Sequence, residues 1–338
     1  MTARHPPRLL VTCLAAVLVA GCGGATSGPT ASSPAASSPA ASSPASSSPA
    51  SSSPTASSPI GSQSQATGPG ASPTGLPGFS HVYVLILENK EYSSIVGRAS
   101  APYLNSLIAN YGLATDYTGV SHPSEPNYIA LFSGSTQGVT NDGTHNLSAT
   151  NLADQLEARG KTWSVFEQDY PGGCYAGSTR SGNGEGIGAA GYYARKHDPA
   201  ISFTDISSSP ARCARITNFA HFDPAAADFE LIVPNDCNDM HSCPTAAGDA
   251  FLKTFVPRIT GSPAFADSVL FITFDEGTSD IGGGGRIATV VVSPLTRAGF
   301  TSATPHNHYS MLRTIEDAWG LGCLAKACGA GNLGEFFK

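Results

Sequence analysis

Ser124 stands between two prolines in SHPSEPNYIALFSG, residues 121–134, directly ahead of a run with helical character. Pro123 and Pro126 each fix their own φ and push the residue before them out of the helical region, so the backbone is constrained on both sides of this hydroxyl. A stiff hydroxyl at a helix start has two uses. It can cap the first free amides, or it can present its oxygen to a reacting group, since free N–H groups and the helix dipole favour negative charge there. A phosphoryl group attached to Ser124 would be stabilised in that place, and Asn127 in the first turn could donate a hydrogen bond to it.

Carboxylates give a second chemical signal. Glu88 and Asn89 follow one apolar run, and Asp275 and Glu276 follow another. Three carboxylates brought together repel one another and raise each other's pKa, and a cation relieves that strain. Their oxygens, with the Asn89 carbonyl and the Ser124 hydroxyl, would form an oxygen-rich shell that suits Mg²⁺, Ca²⁺ or Mn²⁺ better than zinc. The competing reading is ordinary, because acidic residues also end strands as caps and solvated loops.

Positioning these residues requires a framework, and the hydropathy pattern supplies one. Short apolar runs predict strands at His81–Leu87, Thr162–Gln168, Asp228–Asn235, Ser268–Phe274 and Ala288–Pro294. Helical spacing, proline starts and glycine stops predict helices at Pro102–Tyr111, Pro126–Phe132, Asn151–Gly160, Thr245–Ile259 and Tyr309–Leu321. Residues 169–210 show weak periodicity and read as loops and short helices. Alternating helices and near-continuous apolar strands predict an α/β fold, a mostly parallel central sheet with helices on both faces. Ligands bind at the carboxyl ends of such strands. That rule gathers Glu88, Asn89, the 235–241 loop, Asp275, Glu276 and the Ser124 loop on one edge.

The chain's ends read differently. Arg4 and Arg8 precede an apolar run too short to span a bilayer comfortably, and the run closes on Val19–Cys22. VAGC resembles a bacterial lipobox, which implies a signal peptide over residues 1–21 and lipidation of Cys22. An ordinary secretory signal is the alternative, and both imply an extracytoplasmic protein. Residues 22–80 form a Ser/Ala/Pro-rich tether with no charged side chain from Gly23 to Ser80. Residues 81–338 form the folded domain. The net charge of −7 offers no basic field for nucleic acid, and contact with a membrane is expected through the lipid anchor only. Nothing in the composition fixes the oligomeric state.

Beyond Cys13 and Cys22, six cysteines remain, an even set that in an exported chain suggests disulfides. Cys237/Cys243 and Cys323/Cys328 look like local bridges and leave Cys174/Cys213 to pair, among fifteen possible connectivities. Zinc binding is the rival reading, but the spacings are not those of CxxC knuckles. Gly282–Gly285 lacks the strand-to-helix context of a dinucleotide loop and reads as a mobile surface loop. Tyr192 and Tyr193 read as packing, and His145, His197 and His221 match no motif.

Taken in order, Glu88-Asn89, HPSEPNY, CNDMH (residues 237–241), TFDEG (273–277) and HYSMLRTIED (308–317) resemble the bacterial phosphoesterase family of acid phosphatases and phospholipases C, within the alkaline phosphatase-like superfamily. The resemblance spans nearly all of residues 81–321. It implies that Ser124 is the nucleophile of a covalent phosphoenzyme and that Asn127 contacts the phosphoryl oxygens. Glu88, Asn89, Asp275 and Glu276 would be metal ligands, with the serine oxygen completing the site. His241 would bind a phosphate oxygen or protonate the leaving group. His308 matches a site histidine before the last helix, with His306 two residues away as an alternative. Asp275-Glu276 stands where two-zinc members have Asp-His, and their Asp-x-x-x-His spacing is missing here. Asp239 and Asn235 are therefore weaker candidates, placed behind the site. The resemblance implies hydrolysis of a small phosphate ester or a phospholipid, by a monoesterase or a phospholipase C-type diesterase. A surface-displayed binding lipoprotein without turnover is the alternative from another class.

Overall fold

HVYVLIL becomes β1 (Val82–Leu87), the centre of a nine-stranded sheet in the computed structural model, which describes residues 75–181 and 192–338. The expected signal peptide, Cys22 and the tether up to residue 74 lie outside the described residues. Every side chain of β1 is buried, and alternate side chains point to opposite faces, so the sheet is covered on both. The packed unit begins earlier than His81: Leu76 and Phe79 lie in the core, so the last residues assigned to the tether belong to the domain.

Around β1 the chain adds β2 (Gly112–Thr118), β3 (Trp163–Glu167), a hairpin of β4 (Thr179–Ser181) and β5 (Tyr192–Ala194), β6 (Ile216–Thr217), β7 (Phe229–Val233), β8 (Val269–Phe274), β9 (Arg286–Val292), β10 (Thr301–Ser302) and β11 (His306–Asn307). The main sheet runs β10-β2-β9-β8-β1-β7-β3-β6, with β11 also on β2. The pairs β8-β1-β7-β3-β6 are parallel, as expected. β9 is antiparallel to both β8 and β2, which makes the sheet mixed on that side. The sequence reading missed β2, because GLATDYT carries polar residues and lacks both alternation and a continuous apolar run.

Seven α-helices are found among the described residues: α1 (Pro102–Asn110), α2 (Glu125–Ser133), α3 (Leu152–Ala158), the single turns α4 (Thr204–Ser207) and α5 (Pro210–Cys213), α6 (Thr245–Thr260) and α7 (His308–Trp319). α2 packs on α7 and α1 on α6. α3 begins on a capping box, with the Asn151 side chain accepting from the first turn and Asp154 returning the bond. α2 ends at Gly134, whose φ of 71° is a left-handed cap.

Among the described residues the disulfides are Cys174–Cys213, Cys237–Cys243 and Cys323–Cys328, the pairing preferred from spacing. The glycine run, expected as a surface loop, has Gly282 and Gly283 exposed but Gly284 and Gly285 buried and bonded to the chain around them. Gly277 N donates to Gly284 O at 2.7 Å and Gly119 N to Gly285 O at 3.0 Å. A Cβ on Gly284 would fall 2.7 Å from the Gly119 carbonyl carbon and from Ser121 O. Glycine therefore lets the 277–285 loop lie against the backbone that leads to Ser124.

Candidate active site

Strand register brings the acids together before any side chain is considered. β1 and β8 are parallel neighbours with Leu87 opposite Phe274, so Glu88-Asn89 and Asp275-Glu276 leave the sheet side by side. Asp275 N donates to Leu87 O at 2.9 Å, and Glu88 N donates to Asp239 O at 2.8 Å. Asn89 turns the chain at a φ of 45°, a left-handed conformation that asparagine tolerates better than most residues. Its backbone N–H then donates to Asp275 Oδ1 at 3.1 Å.

Ser124 occupies the N-cap position of α2 but makes no side-chain capping bond. That duty falls to Asp142, whose Oδ1 accepts from Glu125 N at 3.0 Å. The Ser124 hydroxyl, 1% exposed, instead donates to Glu88 Oε2 at 3.1 Å and lies 3.5 Å from Glu276 Oε1. It accepts from Lys196 Nζ at 3.3 Å. Capping as the whole account of this serine is thereby set aside.

Burial, and then the charges of Asp275 and Asp239, push the Glu88 carboxyl well above its ordinary value. Burial and Glu276 raise Asp275 to about 7. Burial raises Glu276 against the opposing pull of His122. Such crowding is what a nearby positive charge would relieve. The donor set has the chemistry of a hard-cation site. Asp275 Oδ2 is buried without a hydrogen-bond partner. The Asn89 amide lies 2.7 Å from Glu88 Oε2 and 3.2 Å from Asp275 Oδ1. With its nitrogen inward it donates two hydrogen bonds, and with its oxygen inward three acceptors converge and call for a cation between them. Among the described residues no three His, Cys, Asp or Glu side chains stand grouped to hold an ion. Glu276 Oε2 is paired instead with His122 Nδ1 at 2.5 Å.

Two expected roles look different in three dimensions. Asn127 was expected to face a phosphoryl oxygen, but its amide is turned into the loop ahead of it. Oδ1 accepts from Val120 N at 2.8 Å and Ser121 N at 3.2 Å. Nδ2 donates to Ser121 O at 2.9 Å, with Pro123 O and Ser124 O at 3.3 and 3.4 Å. His308 is buried behind the site, with Nε2 2.5 Å from the Asp275 carbonyl oxygen and Nδ1 3.4 Å from the Tyr117 hydroxyl. Burial lowers its pKa to about 4, so it is a neutral support for the β8 end. His306 is bound to Glu335 at 2.7 Å.

His241 is exposed, its ring 6.2 Å from that of His197 and its Nδ1 3.1 Å from Ser242 Oγ. It stands at the rim of the cluster. Asp239 and Asn235 serve the loop, Asp239 Oδ1 accepting from His241 N at 2.6 Å and Asn235 Oδ1 from Asn238 N at 3.0 Å.

Sequence reading missed four residues here. His122 follows Ser121 in the opening motif, and its Nε2 lies 3.0 Å from Ser279 O. Burial opposes its charge, but Ser279 O and Glu276 raise its pKa overall. Its place in HPSEPN was the available signal. Tyr128 donates to Glu88 Oε1 at 2.5 Å. His197 stacks on Tyr128 at 5.3 Å and brings Nε2 within 3.2 Å of Glu88 Oε1. Lys196 and His197 lie just past β5, in a stretch without periodicity, and nothing in the sequence alone marked them.

The chain is similar to known phosphoesterases. Residues 96–322 match the model of the Phosphoesterase family. A phosphatidylinositol-3-phosphatase of Mycobacterium tuberculosis is 33% identical over 259 residues, covering 75% of this chain and 81% of the relative. A probable acid phosphatase of Kluyveromyces lactis is 28% identical over 269 residues, covering 76% of this chain and 62% of that protein. Among solved structures, the lipoteichoic acid synthase LtaP from Listeria monocytogenes superposes with a TM-score of 0.51 at 10% identity, over 75% of this chain and 74% of its own, a likeness of fold alone.

Proposed function

The chain belongs to the Phosphoesterase family, and on that premise we propose that it is an exported, metal-dependent phosphomonoesterase working through a phosphoserine at Ser124. The observation that carries the reading is the Ser124 hydroxyl, free of capping and held against Glu88 Oε2 at 3.1 Å beside the start of α2. The names of the relatives, phosphatidylinositol-3-phosphatase and acid phosphatase, support a phosphate monoester, soluble or lipid-borne, as substrate. Three disulfides favour an oxidising, extracytoplasmic setting. Cys22 would carry the lipid anchor. No helix among the described residues is long and apolar enough to cross a membrane.

Glu88, Asn89 and Asp275, with the Ser124 oxygen, would hold one divalent ion, and their all-oxygen chemistry favours Mg²⁺, Ca²⁺ or Mn²⁺ over zinc. When bound, such an ion supplies positive charge that favours the serine alkoxide and offsets charge on the phosphoryl oxygens. The residues do the rest. Asn127 fixes the 120–124 backbone and so aims the serine. Glu276 Oε1, 3.5 Å from Oγ, takes the serine proton, and His122 behind Glu276 Oε2 stabilises the carboxylate before transfer. His308 holds the Asp275 backbone. His241, exposed at the rim, would contact the departing alcohol without giving it a proton.

The test replaces Ser124 with Ala and assays an aryl phosphate with added Mg²⁺, Ca²⁺, Mn²⁺ or Zn²⁺, before and after chelation. Loss of turnover in the variant, and loss on chelation restored by an oxygen-preferring ion, is expected. Undiminished turnover by Ser124→Ala refutes the mechanism. A bis-aryl phosphate and phosphatidylcholine in the same assay rank diesterase against monoesterase activity.

A further inference from the structure

Lys196 belongs to no motif in the sequence, yet its ammonium lies 3.3 Å from the Ser124 hydroxyl and 3.1 Å from Asp142 Oδ2. The other oxygen of Asp142 accepts from Glu125 N at 3.0 Å, the first amide of α2. One carboxylate therefore ties Lys196 to the helix start that carries Ser124. Chance proximity of a long surface side chain would not require that second anchor.

The adjacent Arg195 does not share this position. Its guanidinium is buried, 3.5 Å from Glu125 Oε1, and donates to His145 O at 2.7 Å. Lys196 is not fully enclosed: its side chain is 22% exposed, and it borders a cavity of about 150 Å³ whose other lining residues, Asp142, Gly143, Ser178, Ala194 and Arg195, do not include Ser124. An ammonium has three donors, and two point at Ser124 and Asp142, which leaves one for a third acceptor. A dianionic group seated at Ser124 provides that acceptor.

We propose that Lys196 is a catalytic residue that grips a non-bridging phosphoryl oxygen while its contact with Oγ favours the attacking form of the serine. The inference rests on the reading of Ser124 as the nucleophile. In the transfer step the Oγ–P bond forms as the bond from phosphorus to the alcohol oxygen breaks. The serine proton passes to Glu276 Oε1, the departing alkoxide takes a proton from water, and Lys196 keeps all three of its own. Its contribution is fixed positive charge where charge is concentrated on the phosphoryl oxygens.

The experiment compares Lys196→Gln, Lys196→Arg and Ser124→Ala in the full chain, with an aryl phosphate as substrate and orthovanadate as inhibitor. Lys196→Gln is expected to lose about 10²- to 10³-fold in kcat/KM. Its orthovanadate inhibition constant should rise by about tenfold or more, the scale of one lost charged contact. Lys196→Arg should recover part of both, since it restores charge without the compact ammonium. An active Ser124→Ala would overturn the nucleophile reading and this proposal with it. An inactive Ser124→Ala beside a Lys196→Gln variant within about threefold of the parent would overturn the lysine proposal alone. So would a loss of activity with unchanged orthovanadate affinity and no gain from arginine, which is the signature of a structural role. If the glutamine variant does not fold, the arginine variant decides, because orthovanadate affinity near that of the parent supports the proposal and a loss as large as that predicted for glutamine refutes it.

Discussion

Replacing Asn127 with Ala separates two accounts of this residue, a contact on the phosphoryl group and a brace for the loop that aims Ser124. The brace account has a magnitude. Oδ1 accepts from Val120 N at 2.8 Å and Ser121 N at 3.2 Å, and Nδ2 donates to Ser121 O at 2.9 Å. Truncation leaves two amides and at least one carbonyl without partners, at about 1–3 kcal/mol for each buried group left unsatisfied. Val120 and Ser121 are only partly buried, so water replaces some of these bonds. The expected loss is then about 2–4 kcal/mol, or roughly 5–12 °C in Tm for a domain of this size. Thermal or urea unfolding of the purified variant measures it, and aryl phosphatase kinetics on the same sample should show a fall in kcat as Ser124 loses its aim. Stability within about 0.5 kcal/mol of the parent with a large loss of kcat would refute the brace and restore the phosphoryl contact.

Two further outcomes follow from groups outside the site. Glu230 in β7 is raised from 4.5 to about 8 by burial and then by the charge of Asp223. A carboxyl raised in this way binds more protons folded than unfolded between those values, so its contribution is fully present below about 4.5 and lost as pH rises through about 8. Between pH 5 and 8 the parent should lose about 2–4 kcal/mol through this group, and Glu230→Gln should flatten the dependence of Tm on pH, whereas an unchanged slope would count against it. Cys174–Cys213 closes the longest loop of the three bridges, at a separation of 39 residues. Replacing both cysteines with Ser should cost about 2–4 kcal/mol in denaturant unfolding, more than opening the Cys323–Cys328 bridge, and an equal effect of the two would contradict the loop-length argument.

The order of the motifs was legible in the chain because each sits where an apolar strand stops. VYVLIL and VLFITF, the strands themselves, are buried along their whole length, so their ends are sharp and the acids after them are fixed in place. Proline and glycine signals set the bounds of α1 and α2 closely, and cysteine spacing gave the disulfide pairs. Reading failed where periodicity failed. β2 mixes polar and apolar residues, the glycine run packs by close backbone approach, and Lys196 and His197 follow a short hairpin strand. None of these leaves a repeating pattern in hydropathy.

By itself the sequence determined which residues stand at strand ends, that Ser124 is held between prolines, and that the strands alternate with helices. Those are local facts, set by φ restriction and by apolar runs. Only the tertiary structure decided what each side chain does with its hydrogen bonds. Parallel register of β1 and β8 places Glu88 beside Asp275, and packing of the 277–285 loop leaves Glu276 leaning on His122. Asn127 and His308 are spent on backbone that lies near them in space, while Lys196, 72 residues from Ser124, arrives at its hydroxyl. A donor and acceptor inventory can be read residue by residue, but which donor meets which acceptor depends on distances that only the folded chain sets.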